Sequence, residues 1–167
     1  MDFQKFFKDN YNSVFRYVFR MSSSRETAED ISQEAFLRMA QKTELIHDIE
    51  DARRWTFTVA RNLCLDFLRK SKDHILVPIE KIPEPESKND NPSISAIEGE
   101  RKTLIKKAVL ELSPDLREVL ILRAYENMRY EEISAITGRP TGTVKSRIAR
   151  AREILRNILD SLLEGMK

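Results

Sequence analysis

The chain has 167 residues, of which 41% are hydrophobic and 34% are charged, and it contains only four glycines. This composition is typical of one or two small soluble domains rich in helix, and it argues against a disordered or fibrous protein. No apolar run approaches the roughly 20 residues of a membrane span, and the N-terminus lacks the pattern of a signal peptide. We therefore expect a cytoplasmic protein with no direct membrane insertion.

Residues that usually supply redox, metal or nucleophilic chemistry are sparse. Cys64 is the single cysteine and lies in an apolar helical pattern, so we expect it to be a small buried residue. His47 and His74 have no cysteine or second histidine at ligand spacing. The sequence also lacks a glycine-rich phosphate loop and a nucleophile elbow. It therefore predicts no catalytic residue, no metal and no cofactor.

The net charge of +2 hides an uneven distribution along the chain. Residues 73–100 contain seven acidic residues and two lysines, a balance of −5, so the remainder carries +7. A basic remainder favours a polyanionic partner.

Three amphipathic helices are predicted before residue 71. The first spans Phe3–Phe19, with apolar residues three and four apart. Ser23, with Glu26 three residues later, has the form of a capping box and opens the second. The third spans Asp51–Lys70. Its predicted inner stripe consists of Trp55, Val59, Leu63 and Phe67. Three such helices can close a small core, so we expect residues 1–71 to form one domain.

A proline-rich segment follows this predicted domain. Four of the six prolines lie between Pro78 and Pro92, within the acidic part of the chain. Proline lacks a backbone donor and disfavours helix at the preceding residue. We expect an extended acidic linker over residues 72–99 and a second helical domain over residues 100–167.

The second domain has the pattern of a helix-turn-helix. Ser113 and Pro114 predict the start of one helix. A short helix over Tyr130–Thr137 is expected to end at Gly138 in a left-handed conformation, before a last helix that begins around Pro140 or Thr141. A tight glycine-containing turn between two helices is typical of this DNA-binding unit.

The last helix has distinct inner and outer faces. At about 100° per residue, the stripe expected to face the core is Val144, Ile148, Ala151 and Leu155. The opposite face carries small residues and cations, namely Gly142, Ser146, Ala149 and Arg150, flanked by Lys145, Arg147 and Arg152. Small residues permit close approach to base edges, and flanking cations can hold phosphates. We favour DNA binding over a merely solvated basic face.

Three segments carry a resemblance to a known family. Residues 130–153, which include Gly142-Thr143-Val144-Lys145-Ser146-Arg147, resemble the C-terminal domain of extracytoplasmic-function (ECF) sigma factors of bacterial RNA polymerase. Residues 30–38 resemble the segment with which sigma factors grip the polymerase β′ coiled coil. A third resemblance, to the helix that meets the minus-ten promoter element, rests on Trp55, Ala60, Arg61, Asn62, Asp66 and Arg69.

The resemblance implies three sets of contact residues. Core-polymerase binding is expected at Asp30, Gln33, Glu34 and Phe36. Minus-ten DNA binding is expected at Arg54, Arg61, Asn62, Asp66 and Arg69, with the loop Ile46–Ala52 capturing an unstacked base. Minus-thirty-five DNA binding is expected at Arg139, Thr141, Thr143, Lys145, Ser146, Arg147, Ala149 and Arg150. One departure from the family is Arg129, which stands where a capping Ser or Thr is usual.

The resemblance also implies partners. They are core RNA polymerase through its β′ coiled coil and β subunit, promoter DNA, and an anti-sigma factor, expected to be membrane-associated. The acidic linker would thread a polymerase channel, or act as a plain tether. The alternative function is a stand-alone helix-turn-helix transcriptional regulator.

Overall fold

A computed structural model of the chain describes residues 1–71 and 92–166, without the side chains of residues 92–96. Within these ranges the chain forms seven helices and no strands, which confirms the predicted all-α fold. The helices are α1 (Phe3–Ser22), α2 (Arg25–Ala40), α3 (Ile49–Lys70), α4 (Pro92–Glu111), α5 (Pro114–Ala124), α6 (Tyr130–Thr137) and α7 (Thr141–Glu164).

The turn between α1 and α2 differs from the prediction by one residue. Ser23 takes a left-handed conformation with φ 55° and donates its backbone N–H to the Phe19 carbonyl at 2.8 Å, which ends α1. Ser24 is therefore the residue that caps α2, and its side chain accepts a hydrogen bond from the Thr27 N–H at 3.2 Å. The predicted capping box at Ser23 was wrong because that residue closes the preceding helix.

The buried face of α3 is rotated from the predicted stripe. Its fully buried residues are mostly small, namely Ala52, Thr56, Phe57, Ala60 and Cys64. The predicted stripe is only partly buried and packs at the margin of the core. Small side chains on the inner face let the backbone of α3 approach the neighbouring helices α1 and α2. The burial expected for Cys64 is confirmed.

Helix α4 begins earlier than predicted. It starts at Pro92, so residues 92–99 are helical and the expectation of an extended linker was wrong there. Proline is well tolerated at the first helical position, where its missing N–H has no intrahelical partner. The rest of the predicted linker, residues 72–91, lies outside the described residues.

The helix-turn-helix forms as predicted. Ile133 and Ile136 are buried in α6, and Gly138 ends that helix with φ 69°. Helix α7 then begins at Thr141, the second of the two expected start positions, with Pro140 as its N-cap residue.

The two groups of helices, the first unit α1–α3 and the second unit α4–α7, pack against each other. Helix α5 contacts α1, and α6 contacts α3. The guanidinium of buried Arg117 in α5 donates to the Met21 carbonyl at the end of α1, at 2.6 Å. It also donates to the carbonyls of Val109, Leu110 and Leu112 around the end of α4, at 3.2, 2.7 and 2.9 Å. One side chain thus ties the C-termini of two helices from different units.

The missing cap of α6 can be restored. Arg129 precedes α6 and offers no side-chain acceptor, although its backbone N–H donates to the Glu132 carboxylate at 2.8 Å. We expect Arg129→Ser to supply the absent acceptor and to raise the free energy of unfolding by about 1 kcal/mol in urea denaturation. Arg139→Ser, which removes an exposed arginine beyond the cap, serves as the control. An equal or lower stability of Arg129→Ser than of the unaltered chain would contradict the prediction.

Candidate nucleic-acid and polymerase interface

Helix α2 exposes one face of mixed polar and apolar character. Asp30 and Gln33 are exposed, and Glu34 is partly exposed and pairs with Arg38 at 2.7 Å. Leu37 is 61% exposed. Residues 30, 33, 34 and 37 share the spacing of a single helical face, so Leu37 is the apolar side chain of this surface.

Phe36 does not lie on that face. It is 2% exposed, and the centroid of its ring lies 5.8, 5.1 and 5.7 Å from the ring centroids of Phe6, Phe7 and Tyr11. The suggested role of Phe36 as an apolar anchor for polymerase is therefore corrected: it is a core residue that joins α2 to α1. The helical spacing from Asp30 already pointed to Leu37, which the sequence reasoning missed.

On α3, two exposed arginines have carboxylate partners one turn away. Arg54 is hydrogen-bonded to Asp51, and Arg69 to Asp66. Asn62 is exposed. Four of the five predicted minus-ten residues thus lie on the surface of α3, with Asp66 holding the guanidinium of Arg69.

The fifth predicted residue, Arg61, is in a different environment. Its side chain is 13% exposed and makes two hydrogen bonds to Glu118 of α5, at 2.7 and 3.1 Å. Glu118 is completely buried. These hydrogen bonds are the main reason why the pKa of Arg61 is raised. In this arrangement Arg61 belongs to the contact between the two units and is not available to DNA, contrary to the expectation of an open face.

Around the start of α3, two aliphatic side chains point into solvent: Leu45 is 72% exposed, and Ile49, the first residue of the helix, is 57% exposed. Ile49 lies within the segment Ile46–Ala52 expected to capture a base, although residues 49–52 of that expected loop are helical. Leu45 was not predicted as a site residue. Both lie outside the apolar stripes of the flanking helices, which is the sequence signal that could have identified them.

Helix α7 has the predicted orientation. Val144, Ile148 and Ala151 are buried, and Leu155 is partly buried against the core. The outer face is exposed at Lys145, Ser146, Ala149 and Arg150, as are Arg139 and Thr141 before and at the start of the helix, while Thr143 is half-buried. The Ser146 hydroxyl donates to the Thr143 carbonyl at 3.0 Å. The amide end of α7 and its outer face are thus open to a nucleic acid.

Arg147 is less accessible than the other cations of α7. Its side chain is 23% exposed and its Nη1 lies 4.0 Å from the Asp115 carboxylate. No described residue accepts a hydrogen bond from this buried Nη1. Lys145 lies over the Tyr130 ring at 5.4 Å, and Arg123 approaches the same ring at 4.6 Å. These ring contacts hold Lys145 near the start of α7, and sequence reasoning missed them.

Other kinds of site are not found in the described part of the chain. No group of three His, Cys, Asp or Glu residues in these ranges could hold a metal ion. None of the described helices is long and apolar enough to cross a membrane.

Two family models match the chain in the order of its two units. Sigma-70 region 2 matches residues 6–74, and Sigma-70, region 4 matches residues 102–155. The first match covers the bundle α1–α3, and the second covers the helix-turn-helix. This combination defines a sigma factor of the sigma-70 class.

Curated relatives narrow the class further. The chain is 32% identical over 151 residues to the ECF RNA polymerase sigma factor SigL of Mycobacterium tuberculosis, a match that covers 89% of this chain and 84% of SigL. It is 29% identical over 149 residues to RNA polymerase sigma factor SigV of Bacillus subtilis, covering 89% and 85% of the two chains. The ECF sigma factor SigE of Mycolicibacterium smegmatis is 30% identical over 161 residues, which are 91% of this chain and 59% of SigE.

Solved structures agree with these relatives. The sigma factor RpoE from Bartonella quintana, solved with the anti-sigma factor NepR, superposes with a TM-score of 0.74 at 26% identity, over 95% of this chain and 97% of that one. CnrH, solved with the cytosolic domain of CnrY, has the same fold, with a TM-score of 0.69 at 20% identity over 95% and 88% of the two chains.

The chain belongs to the ECF sigma factors, which confirms the function expected from the sequence: a sigma factor that directs RNA polymerase to promoters. The alternative of a stand-alone regulator gives no role to the first unit, whereas sigma-70 region 2 accounts for it.

The buried thiol provides a test of the core. Burial raises the pKa of Cys64 to about 12. A pKa above the unfolded value of about 8.5 favours the neutral thiol in the fold, so this contribution to stability is complete below that pH and is lost as pH rises towards 12. We expect a thiol reagent at pH 8 to modify Cys64 only after unfolding. Lys8→Cys, which places a thiol on the exposed face of α1, should be modified at once. Equal rates for Cys64 and the added cysteine in the folded chain would contradict the prediction.

Proposed function

We propose that three surfaces divide the work of this sigma factor: α2 binds core RNA polymerase, α3 with its preceding loop binds the minus-ten element, and α7 binds the minus-thirty-five element. The observation that carries the proposal is the orientation of α7, whose apolar stripe is buried while its small and basic residues face solvent. That face lies in the unit matched by Sigma-70, region 4.

The polymerase surface consists of Asp30, Gln33, Glu34 and Leu37 on one face of α2. Its carboxylates and amide can bind basic and polar groups, and a protruding leucine can fill an apolar pocket at the centre of the contact. This composition suits the β′ coiled coil that the family resemblance implies, with further contacts to the β subunit.

Substitutions of Leu37 and Phe36 should have different effects, the first on polymerase binding and the second on the stability of the fold. Leu37→Ala should weaken binding to core polymerase about tenfold without changing the urea midpoint of unfolding, because only an exposed side chain at the contact is lost. Phe36→Ala should lower the free energy of unfolding by about 3 kcal/mol, because it opens a cavity among aromatic rings. Binding is measured by fluorescence anisotropy and stability by urea denaturation.

The matched control is Leu163→Ala, which removes an equally exposed leucine (53%) from the far end of α7. Undiminished polymerase affinity of Leu37→Ala, or an equal loss for Leu163→Ala, would show that the α2 face is not the polymerase surface.

The minus-ten surface combines Arg54, Asn62, Asp66 and Arg69 of α3 with the exposed aliphatic residues Leu45 and Ile49. Asparagine can read base edges and arginine can hold phosphates. An exposed aliphatic side chain can cover the face of a base that leaves the stack. Arg61 can join this surface only when its contact with Glu118 opens.

The minus-thirty-five surface has its cations around a centre of small residues. Lys145 and Arg150 are exposed and suited to phosphates, as are Arg139 and the amides at the start of α7. Ser146 and Ala149 lie between them, where base edges approach. Arg147 would need to leave Asp115 to reach a phosphate.

Substitutions in α7 should distinguish residues that contact DNA phosphates from residues that determine the preferred base sequence. Lys145→Ala in the reconstituted holoenzyme should weaken binding to all promoters by a similar factor and reduce the salt slope by about 1. Ala149→Ser should change the ranking of promoters that differ in the minus-thirty-five element, with little change in the salt slope. Lys8→Ala, which removes the same charge from α1, is the control for Lys145→Ala. A Lys145→Ala effect confined to one base preference would contradict this assignment.

Run-off transcription tests the function as a whole. Purified protein added to bacterial core polymerase should produce defined transcripts from a subset of promoters, and their start sites should follow a shared pair of elements. If core polymerase alone gave the same starts, or the protein never joined it, the proposed function would fail.

The same proposal includes regulation and location. The RpoE and CnrH structures contain an anti-sigma factor and the cytosolic domain of CnrY, respectively, and we propose an anti-sigma factor as a partner of this chain too. Strand separation at a promoter follows from binding energy, so the chain acts without a catalytic residue or cofactor of its own. Because its polymerase partner works in the cytoplasm, we place it there.

A further inference from the structure

The contact between the two units is rich in charge. Buried Glu118 of α5 binds Arg61 of α3 through both carboxylate oxygens, which is the forked geometry that a guanidinium also adopts on a phosphate. At the other side of the contact, Arg20 of α1 lies over the Tyr125 ring at 3.9 Å and 3.9 Å from the Glu126 carboxylate, whose side chain is 3% exposed. These pairs join the first unit to the second.

The position of Arg61 connects this contact with promoter binding. Arg61 is adjacent in sequence to Asn62, which faces solvent on α3. While Arg61 holds Glu118, its guanidinium cannot bind a DNA phosphate, and α6 packs against the same helix. The carboxylate also places negative charge beside a helix whose partner is a polyanion. The closed contact therefore opposes minus-ten binding by occupying the Arg61 guanidinium and by neutralising its charge.

We propose that the Arg61–Glu118 pair is a latch that keeps the free chain closed and withholds Arg61 from DNA until core polymerase separates the two units. The proposal rests on the proposed role of α3 in minus-ten binding.

The electrostatic free energy of the Arg61–Glu118 pair is compatible with a contact that opens. An intact buried ion pair contributes little net stability, because the cost of removing two charges from water offsets their attraction. Separating the units returns both charges to water, so opening carries no large electrostatic penalty. Removing only Glu118 is different, since the closed form then buries the Arg61 charge without its partner. Loss of this one carboxylate should shift the chain towards the open form.

The test uses the full chain and the variant Glu118→Gln, which keeps the shape of the side chain but not its charge. The control is Glu111→Gln, the same change at an exposed glutamate of the second unit. Spin labels on Lys8→Cys in α1 and Arg156→Cys in α7, both exposed positions, report the distance between the units. We expect one narrow distance distribution for the unaltered chain and for Glu111→Gln, and a broad, longer one for Glu118→Gln.

DNA binding by the free chain is the second readout. A fluorescent single strand that carries the minus-ten segment of a mapped promoter should bind Glu118→Gln at least tenfold more tightly than it binds the unaltered chain or Glu111→Gln. With core polymerase present, all three should transcribe equally, because polymerase has already opened the contact. A narrow distribution for Glu118→Gln, or an open chain with unchanged DNA affinity, would overturn the proposal.

Two further measurements keep the result unambiguous. If Glu118→Gln fails to fold, Arg61→Gln removes the charge of the other partner of the pair and should produce the same opening in the distance measurement; an unchanged distance would overturn the latch. The distance readout needs neither polymerase nor DNA. Failure of run-off transcription by the unaltered chain would therefore count against the proposed function, and an unchanged distance against the latch.

Discussion

The arrangement of the two units depends on how the buried guanidinium of Arg117 is satisfied. Its nitrogens donate to carbonyls at the ends of α1 and α4, which have no partner inside their own helices. A cation beside two helix C-termini is also favoured by the helix dipoles. Since the acceptors come from both units, satisfying this one side chain sets α5 against α1 and brings the adjacent Glu118 to Arg61.

The packing of the two units leaves the two proposed DNA-binding surfaces with different exposure. Most of the outer face of α7 stays exposed, because the core packs against the opposite stripe, whereas Arg147 and Lys145 contact neighbouring helices, at Asp115 and Tyr130. Helix α3 carries α6 on one flank and has Arg61 bound to Glu118. Under the proposed function, the face assigned to the minus-thirty-five element is accessible apart from Arg147, whereas the face assigned to the minus-ten element lacks the Arg61 guanidinium. The two proposed DNA contacts therefore differ in how much rearrangement each requires.

The sequence alone predicted the structure correctly where a local pattern is compatible with only one conformation. The faces of α7 and the left-handed turn at Gly138 follow from periodicity and backbone chemistry, and both were predicted. Prediction failed where two local signals competed: Ser23 could cap one helix or end another, and Pro92 could break a helix or begin it. Phe36 was misplaced because a family position outweighed the helical spacing that selects Leu37. The Arg61–Glu118 pair joins residues 57 apart in sequence, and no periodicity within either unit encodes such a contact.

The early start of α4 has a consequence for the reach of the molecule on a promoter. Between the end of α3 at Lys70 and Pro92 the chain has 21 residues, which can span at most about 70 Å when fully extended. A helix beginning at Glu100 would have left a tether of about 100 Å by the same measure. The eight helical residues 92–99 themselves span about 12 Å, so the maximum reach falls by about 18 Å, or about five base pairs at a rise of about 3.4 Å per base pair. If the two units bind the two promoter elements as proposed, the early start of α4 lowers the largest separation of those elements that one copy of the chain can span.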